Sequence, residues 1–168
     1  MPDLDSCLEI AKSATLLAGN FLKEQQDSNL KILTNKARDL KLQIDIDAEE
    51  IIKDHISANS SMPILAEESG KSGPLDDYFW VVDPLDGTSN FLRNIPISCV
   101  SISLMQGLTP ALGVIFDFNN SDLYCAHKES KAYVNDRKIS VSTLNLKKES
   151  TLVTGIPAKD NYSDEEFK

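Results

Sequence analysis

Leu4, Leu8, Ala11, Ala18 and Leu22 recur at the spacing of one helical face, which predicts a first helix of about five turns with Asp3 or Asp5 placed to cap its start. The polar stretch over residues 25–31 ends it. A second helix is predicted over about residues 44–56, where Ala48, Ile52 and Ile56 make a stripe while Glu50, Lys53 and Asp54 point elsewhere. Residues 57–63, closed by Pro63, break it. Beyond Pro63 the helical period gives way to short β-rich runs at 64–66, 78–82, 97–105, 111–118 and 123–126. The run Tyr78-Phe79-Trp80-Val81-Val82 is apolar on both faces and reads as a central strand.

Turn chemistry fills the gaps at residues 106–110, at Asn119 and Asn120, and at Asn135, Asp136 and Arg137, so an antiparallel meander is the simplest arrangement. Two helices followed by a largely antiparallel sheet give an α+β fold class. Near the carboxyl end, Ser163 with Glu166 three residues later forms a capping-box pattern that opens a helix expected to continue past Phe167.

Composition narrows the function. A chain of 168 residues with 41% apolar and 26% charged residues suits one domain with its own core. Its net charge of −9 argues against a nucleic-acid partner, which would require clustered Lys and Arg to displace phosphate counterions. An anionic substrate would therefore need local positive charge, and a metal could supply it. Cys7, Cys99 and Cys125 are odd in number and lack CxxC spacing, which fits reduced thiols packed as small core residues. No stretch is long and apolar enough to span a bilayer, and the acidic start at Asp3 and Asp5 is unlike a signal peptide, so the expected location is cytoplasmic.

Candidate chemistry centres on Ala66-Glu67-Glu68-Ser69 and on the run Trp80-Val81-Val82-Asp83-Pro84-Leu85-Asp86-Gly87-Thr88-Ser89-Asn90-Phe91. Asp83 ends a strongly apolar strand, Pro84 stops the ladder and Gly87 permits a tight turn, which puts Asp83 and Asp86 at the mouth of the sheet. Thr88 or Ser89 would then begin a helix whose free N–H groups suit a phosphate. Two carboxylates about 4 Å apart repel by roughly 4 kcal/mol at an effective dielectric near 20, and a hard divalent cation relieves this. Every candidate donor is an oxygen, and His55 and His127 have no paired spacing, so Mg²⁺ is favoured over zinc.

The run WVVDPLDGTSNF, with Glu67-Glu68-Ser69 upstream, resembles the signature of the inositol monophosphatase family almost position for position. The resemblance implies a layered α/β sugar-phosphatase fold whose metals are bound by Glu67, Asp83, Asp86 and the backbone carbonyl of Leu85. It implies Glu68 as a support behind the ligands, and Gly87, Thr88 and Ser89 at the phosphate. The family's second helix carries Asp, Glu four residues later and Ile seven later, a spacing that Asp45, Glu49 and Ile52 fit. Asp47 is the rival. Asp45 shares the face of Ala48, Ile52 and Ile56, where an unpartnered carboxylate is costly, so Asp45 is the choice, with a helix N-cap as its alternative role.

The implied reaction is Mg²⁺-dependent hydrolysis of a small phosphomonoester by metal-activated water, with Thr88, hydrogen-bonded to Asp45, orienting that water or accepting its proton. No covalent intermediate is expected. Family members tend to form homodimers, so an oligomer is implied. Two positions depart from the pattern: Leu42 stands where Thr is usual, and Ala66 where Gly is usual. No Trp-Asp-x-Ala-Ala-Gly motif follows, because Trp80 is the only tryptophan, so the carboxyl-terminal portion of the fold is expected to be absent from these residues. The alternative function is a catalytically incomplete module that binds metal or dimerises. A haloacid-dehalogenase-type phosphatase fits less well, since its two acids stand two apart and Asp83 and Asp86 stand three apart around Pro84.

Overall fold

The apolar stripe of the amino terminus winds into α1 (Leu4–Gln25), 22 residues that bury Leu4, Cys7, Ala11, Ala14, Ala18 and Leu22. The structure, a computed structural model, describes residues 1–26, 28, 30–36, 39–75, 77–143 and 151, with the backbone alone for 34–36 and 39–41. Asp3 takes the N-cap position in extended backbone, but its carboxylate accepts a bond from the Ser6 hydroxyl and caps no helical N–H. At six turns the helix outruns the expected five. Gly19 lets it lie on the sheet, since a Cβ there would collide with the Phe116 ring.

Two strands then intervene that the hydrophobic pattern does not announce, β1 (Ile32–Lys36) and β2 (Asp39–Leu42), paired antiparallel as a separate ribbon. β2 runs straight into α2 (Gln43–Asn59), which buries Ile44, Asp45, Ala48, Glu49, Ile52 and Ile56. The helix is a residue longer than expected at its start and three longer at its end.

The main sheet holds β3 (Ile64–Ala66), β4 (Gly70–Lys71), β5 (Tyr78–Asp86), β6 (Cys99–Gln106), β7 (Thr109–Asp117), β8 (Asp122–His127), β9 (Ala132–Val134) and β10 (Arg137–Ile139). Its order is β10-β9-β8-β7-β6-β5-β3-β4. From β5 to β10 the neighbours are antiparallel, as the meander requires. β3 corrects that expectation: it pairs parallel to β5, with Ile64, Leu65 and Ala66 opposite Trp80, Val81 and Val82. The sheet is therefore mixed and mostly antiparallel, and with its helices the chain is α+β. Asn135 and Asp136 turn β9 into β10 with φ of 47° and 63°, left-handed conformations that Asn and Asp tolerate and that match strand twist.

Both long helices cover one face. α1 packs on α2, β6, β7 and β8, and α2 packs on β5. Alternate strand residues Val100, Ile102, Leu104, Val114 and Phe116 point into this layer and are buried. Trp80 is fully buried and satisfies its indole N–H by donating to Ser60 Oγ at 3.1 Å. The expected helix at Ser163 lies outside the described residues.

Candidate metal and phosphate site

Strand direction brings the acids together. β3 and β5 run parallel, so their carboxyl ends finish side by side, and the ladder continues one step as the Glu67 N–H donates to Val82 O at 3.1 Å. Each strand then delivers an acid, Glu67 from one and Asp83 from the other. Ligands of open sheets gather at such strand ends.

Pro84 has no N–H to give, and the β5–β6 register shifts between Asp83, opposite Ser101, and Asp86, opposite Cys99. The Leu85 N–H turns inward and donates to Asp83 Oδ1 at 3.2 Å, while the Leu85 carbonyl accepts the Thr88 hydroxyl at 3.1 Å. Gly87 then adopts φ 91° and ψ 34°, and a Cβ there would stand 2.7 Å from the Ile97 carbonyl, so only glycine fits without strain. It opens α3 (Thr88–Phe91), a single turn in which the Asn90 and Phe91 N–H groups bond Gly87 O. Asn90 Nδ2 donates to Ile97 O at 2.8 Å and pins this turn to the next loop.

Asp45 approaches from the start of α2. It is 2% exposed, and its Oδ2 accepts the Leu42 N–H at 2.7 Å, capping the helix from its third position. The N-cap of α2 is Leu42, so Asp45 is not the N-cap itself and uses only one oxygen to close the start of the helix. The other, Oδ1, is buried without a hydrogen-bond partner. Burial pushes the Asp45 carboxyl up to about 6; the Leu42 N–H opposes this, Glu68 and Glu67 repel in the same direction as burial, and Thr88 opposes it slightly. Thr88 therefore lies beside Asp45, yet its hydroxyl bonds the Leu85 carbonyl and leaves Oδ1 bare. Asp47, the rival, is only half-buried and accepts Gln43 Nε2 at 2.8 Å.

Asp83 is pushed up to about 7, first by burial, then by the charge of Glu67, by a hydrogen bond shared with Glu67 and by the charge of Asp86. Two neighbouring carboxyl groups cannot both carry charge cheaply without a counter-charge between them. Glu67 and Asp86 are exposed on either side, Leu85 is buried and Ser89 faces solvent. Among the described residues, however, no three His, Cys, Asp or Glu side chains form a group that could hold a metal as they stand. The expected donors are nonetheless all oxygens, a set that fits a hard divalent cation, and near them the buried Asp45 Oδ1 has no hydrogen-bond partner. His127 is engaged elsewhere, 3.1 Å from Asp5.

Beside Asp86 and Gly87 opens a cavity of about 680 Å³, lined also by Asn90, Ile97, Cys99 and Asn120. Cys99 Sγ stands 3.9 Å from Asp86 Oδ2, and burial, then Asp86, Asp83 and Asp117, push its thiol up to about 12. Glu49, to which the sequence pattern assigns no role, reaches this region as well: its Oε2 accepts the Glu68 N–H at 2.7 Å. Its position four residues after Asp45, on the same buried face, was the available signal.

The sequence pattern of the inositol monophosphatase family matches residues 3–166. An inositol-1-monophosphatase from Synechocystis is 41% identical over 160 residues, which cover 91% of this chain and 54% of that protein. A Nus factor SuhB from Xylella fastidiosa is 35% identical, covering 91% of this chain and 56% of its own length. The crystal structure of extragenic suppressor protein suhB from Bartonella henselae superposes with a TM-score of 0.77 at 34% identity, over 82% of this chain and 55% of that one. The chain thus spans about half the length of these relatives. With the family's pattern running along nearly all of it and the family's fold beneath, the chain belongs to the inositol monophosphatase family.

Proposed function

We propose that these residues form the amino-terminal metal- and phosphate-binding portion of a Mg²⁺-dependent phosphomonoesterase acting on a small phosphorylated substrate. The observation that carries this reading is the meeting of Glu67 and Asp83 at two parallel strand ends, with Asp83 pushed up to about 7 by burial and by its acidic neighbours. Metal binding to a pair of acids requires them deprotonated, so a cation held between them would release the proton that burial favours.

The ligands are Glu67, Asp83, Asp86 and the Leu85 carbonyl, with Glu68 supporting them. A divalent cation held there supplies charge neutralisation at the phosphoryl oxygens and lowers the pKa of water. Gly87, Thr88 and Ser89 receive the phosphate, and the αL turn at Gly87 permits its close approach. Asp45, with Oδ1 free and its carboxyl raised toward neutrality, orients the attacking water and accepts its proton, and Thr88 lies beside it. The leaving alcohol occupies the cavity beside Asp86.

A cytoplasmic setting suits three free cysteines. Among the described residues no helix is long and apolar enough to cross a membrane. The acidic balance favours a small substrate over a nucleic acid, and a homodimer belongs to the same reading.

A second reading, a metal-binding or dimerisation module without turnover, is favoured by this chain's spanning about half the length of its relatives. Phosphate release from a panel of phosphomonoesters, followed against Mg²⁺ for this chain and for any longer form, separates the two. Metal-dependent release is the expected result, and no release from either form overturns the enzyme reading.

A further inference from the structure

α2 turns two carboxylates inward, Asp45 and Glu49, each 2% exposed and one helical turn apart. Their partners differ. Asp45 keeps one oxygen bare, whereas Glu49 uses both: Oε2 accepts the Glu68 N–H at 2.7 Å, and Oε1 faces Lys53 Nζ at 3.7 Å. Lys53 reaches on to donate to Ser69 Oγ at 2.9 Å. Residues 67–69 are thereby tied to α2 at two successive positions, Glu68 and Ser69. On the other side the Glu67 N–H ties them to β5 through Val82 O at 3.1 Å.

A buried carboxylate is costly unless its oxygens are satisfied, and a backbone N–H is a fixed partner where a side chain is not. Glu49 therefore holds main chain. The loop it holds carries Glu67, and the helix it holds from carries Asp45, so the brace sets where two acids of the site stand relative to each other. We infer that Glu49 is a positioning residue for the cation: by gripping the Glu68 amide it fixes Glu67 beside Asp83 and at a set distance from Asp45, while touching neither cation nor substrate. This role rests on the phosphatase reading above.

The test compares the chain with its Glu49→Ala and Glu49→Gln variants, titrating Mn²⁺ by its EPR signal and following hydrogen exchange of the Glu68 amide. Glu49→Ala is expected to bind Mn²⁺ about 10–100-fold more weakly, the usual loss when a partner behind a metal ligand is removed, and to exchange the Glu68 amide faster. Glu49→Gln keeps an acceptor for that amide and is expected to recover most of the affinity. Lys53→Met, at the exposed end of the brace, is expected to lose about two- to fivefold, the equivalent of a surface ion pair, and serves where Glu49→Ala does not fold. A merely structural Glu49 would lower the unfolding midpoint and leave the affinity of the folded protein unchanged; that result, or unchanged affinity in Lys53→Met, overturns the role. Absence of Mn²⁺ uptake by the unaltered chain overturns the metal reading itself, and with it this role.

Discussion

One face of α2 buries two kinds of side chain almost equally well, with Ala48, Ile52 and Ile56 at 0% exposure and Asp45 and Glu49 at 2%. The apolar group lies over β5 and gains from every contact made. The acidic group gains nothing from burial itself and depends on partners: a backbone N–H for each residue, Lys53 for Glu49, and nothing for Asp45 Oδ1. Burial alone therefore does not separate core from site. What separates them is whether the buried atoms are complete as they stand, and at the mouth of the sheet they are not.

That contrast can be broken from either end. The largest effect is expected at the acids: Glu67→Gln or Asp86→Asn should lower Mg²⁺-dependent phosphate release by about two to three orders of magnitude, with the denaturant midpoint nearly unmoved because both side chains are exposed. Full activity in either variant would remove the functional half of the comparison. At the apolar end, Ile52→Ala should cost about 2–5 kcal/mol in urea unfolding and leave Mn²⁺ affinity below the transition unchanged. Loss of affinity in the folded variant would mean that core and site are one unit. Gly87→Ala should cost about 1–3 kcal/mol, since the residue holds φ 91° and the new Cβ meets the Ile97 carbonyl.

The pH dependence tests the same contrast without a substitution. Asp45 and Asp83 hold their protons to about 6 and about 7 in the folded chain, against 3.8 unfolded. The folded state therefore binds protons that the unfolded state has released, and the stability they contribute is full below 3.8 and is lost as pH rises through about 6 to 7. Urea midpoints of the metal-free chain should thus fall between about pH 4 and about pH 7 and level off above, and Mg²⁺ should flatten the decline by replacing the protons. A decline that Mg²⁺ leaves untouched would place the titrating groups outside the site.

Much of this architecture is legible in the sequence, for identifiable reasons. α1 and α2 declare themselves because their apolar residues keep the helical period, and β5 because five apolar residues in a row suit a strand covered on both faces. The β1–β2 ribbon leaves no such trace: Ile32 and Leu33 are followed by polar residues, and its Ile32 stays 47% exposed. The parallel pairing of β3 with β5 is also hidden, because alternation reports which face is buried and says nothing of a neighbour's direction. Yet that pairing is what sets Glu67 beside Asp83. Asp45 could be chosen over Asp47 because its helical face, added to the family's spacing, is the apolar one. Glu49 is marked by its place one turn after Asp45, but what it braces is not, since its partner is a main-chain N–H 19 residues away and main chain carries no sequence signal. The Thr88 hydroxyl likewise bonds the Leu85 carbonyl, a choice fixed by the turn and not by side-chain identity.

The central claim is that Glu67, Asp83 and the Leu85 carbonyl share a hard cation at the parallel strand ends, and anomalous diffraction from crystals soaked in Mn²⁺ tests it most directly. The expected result is a peak about 2.0–2.4 Å from oxygens of all three, with the Asp83 proton displaced. A map in which Mn²⁺ occupies other positions and Glu67 still shares its hydrogen bond with Asp83 would contradict it.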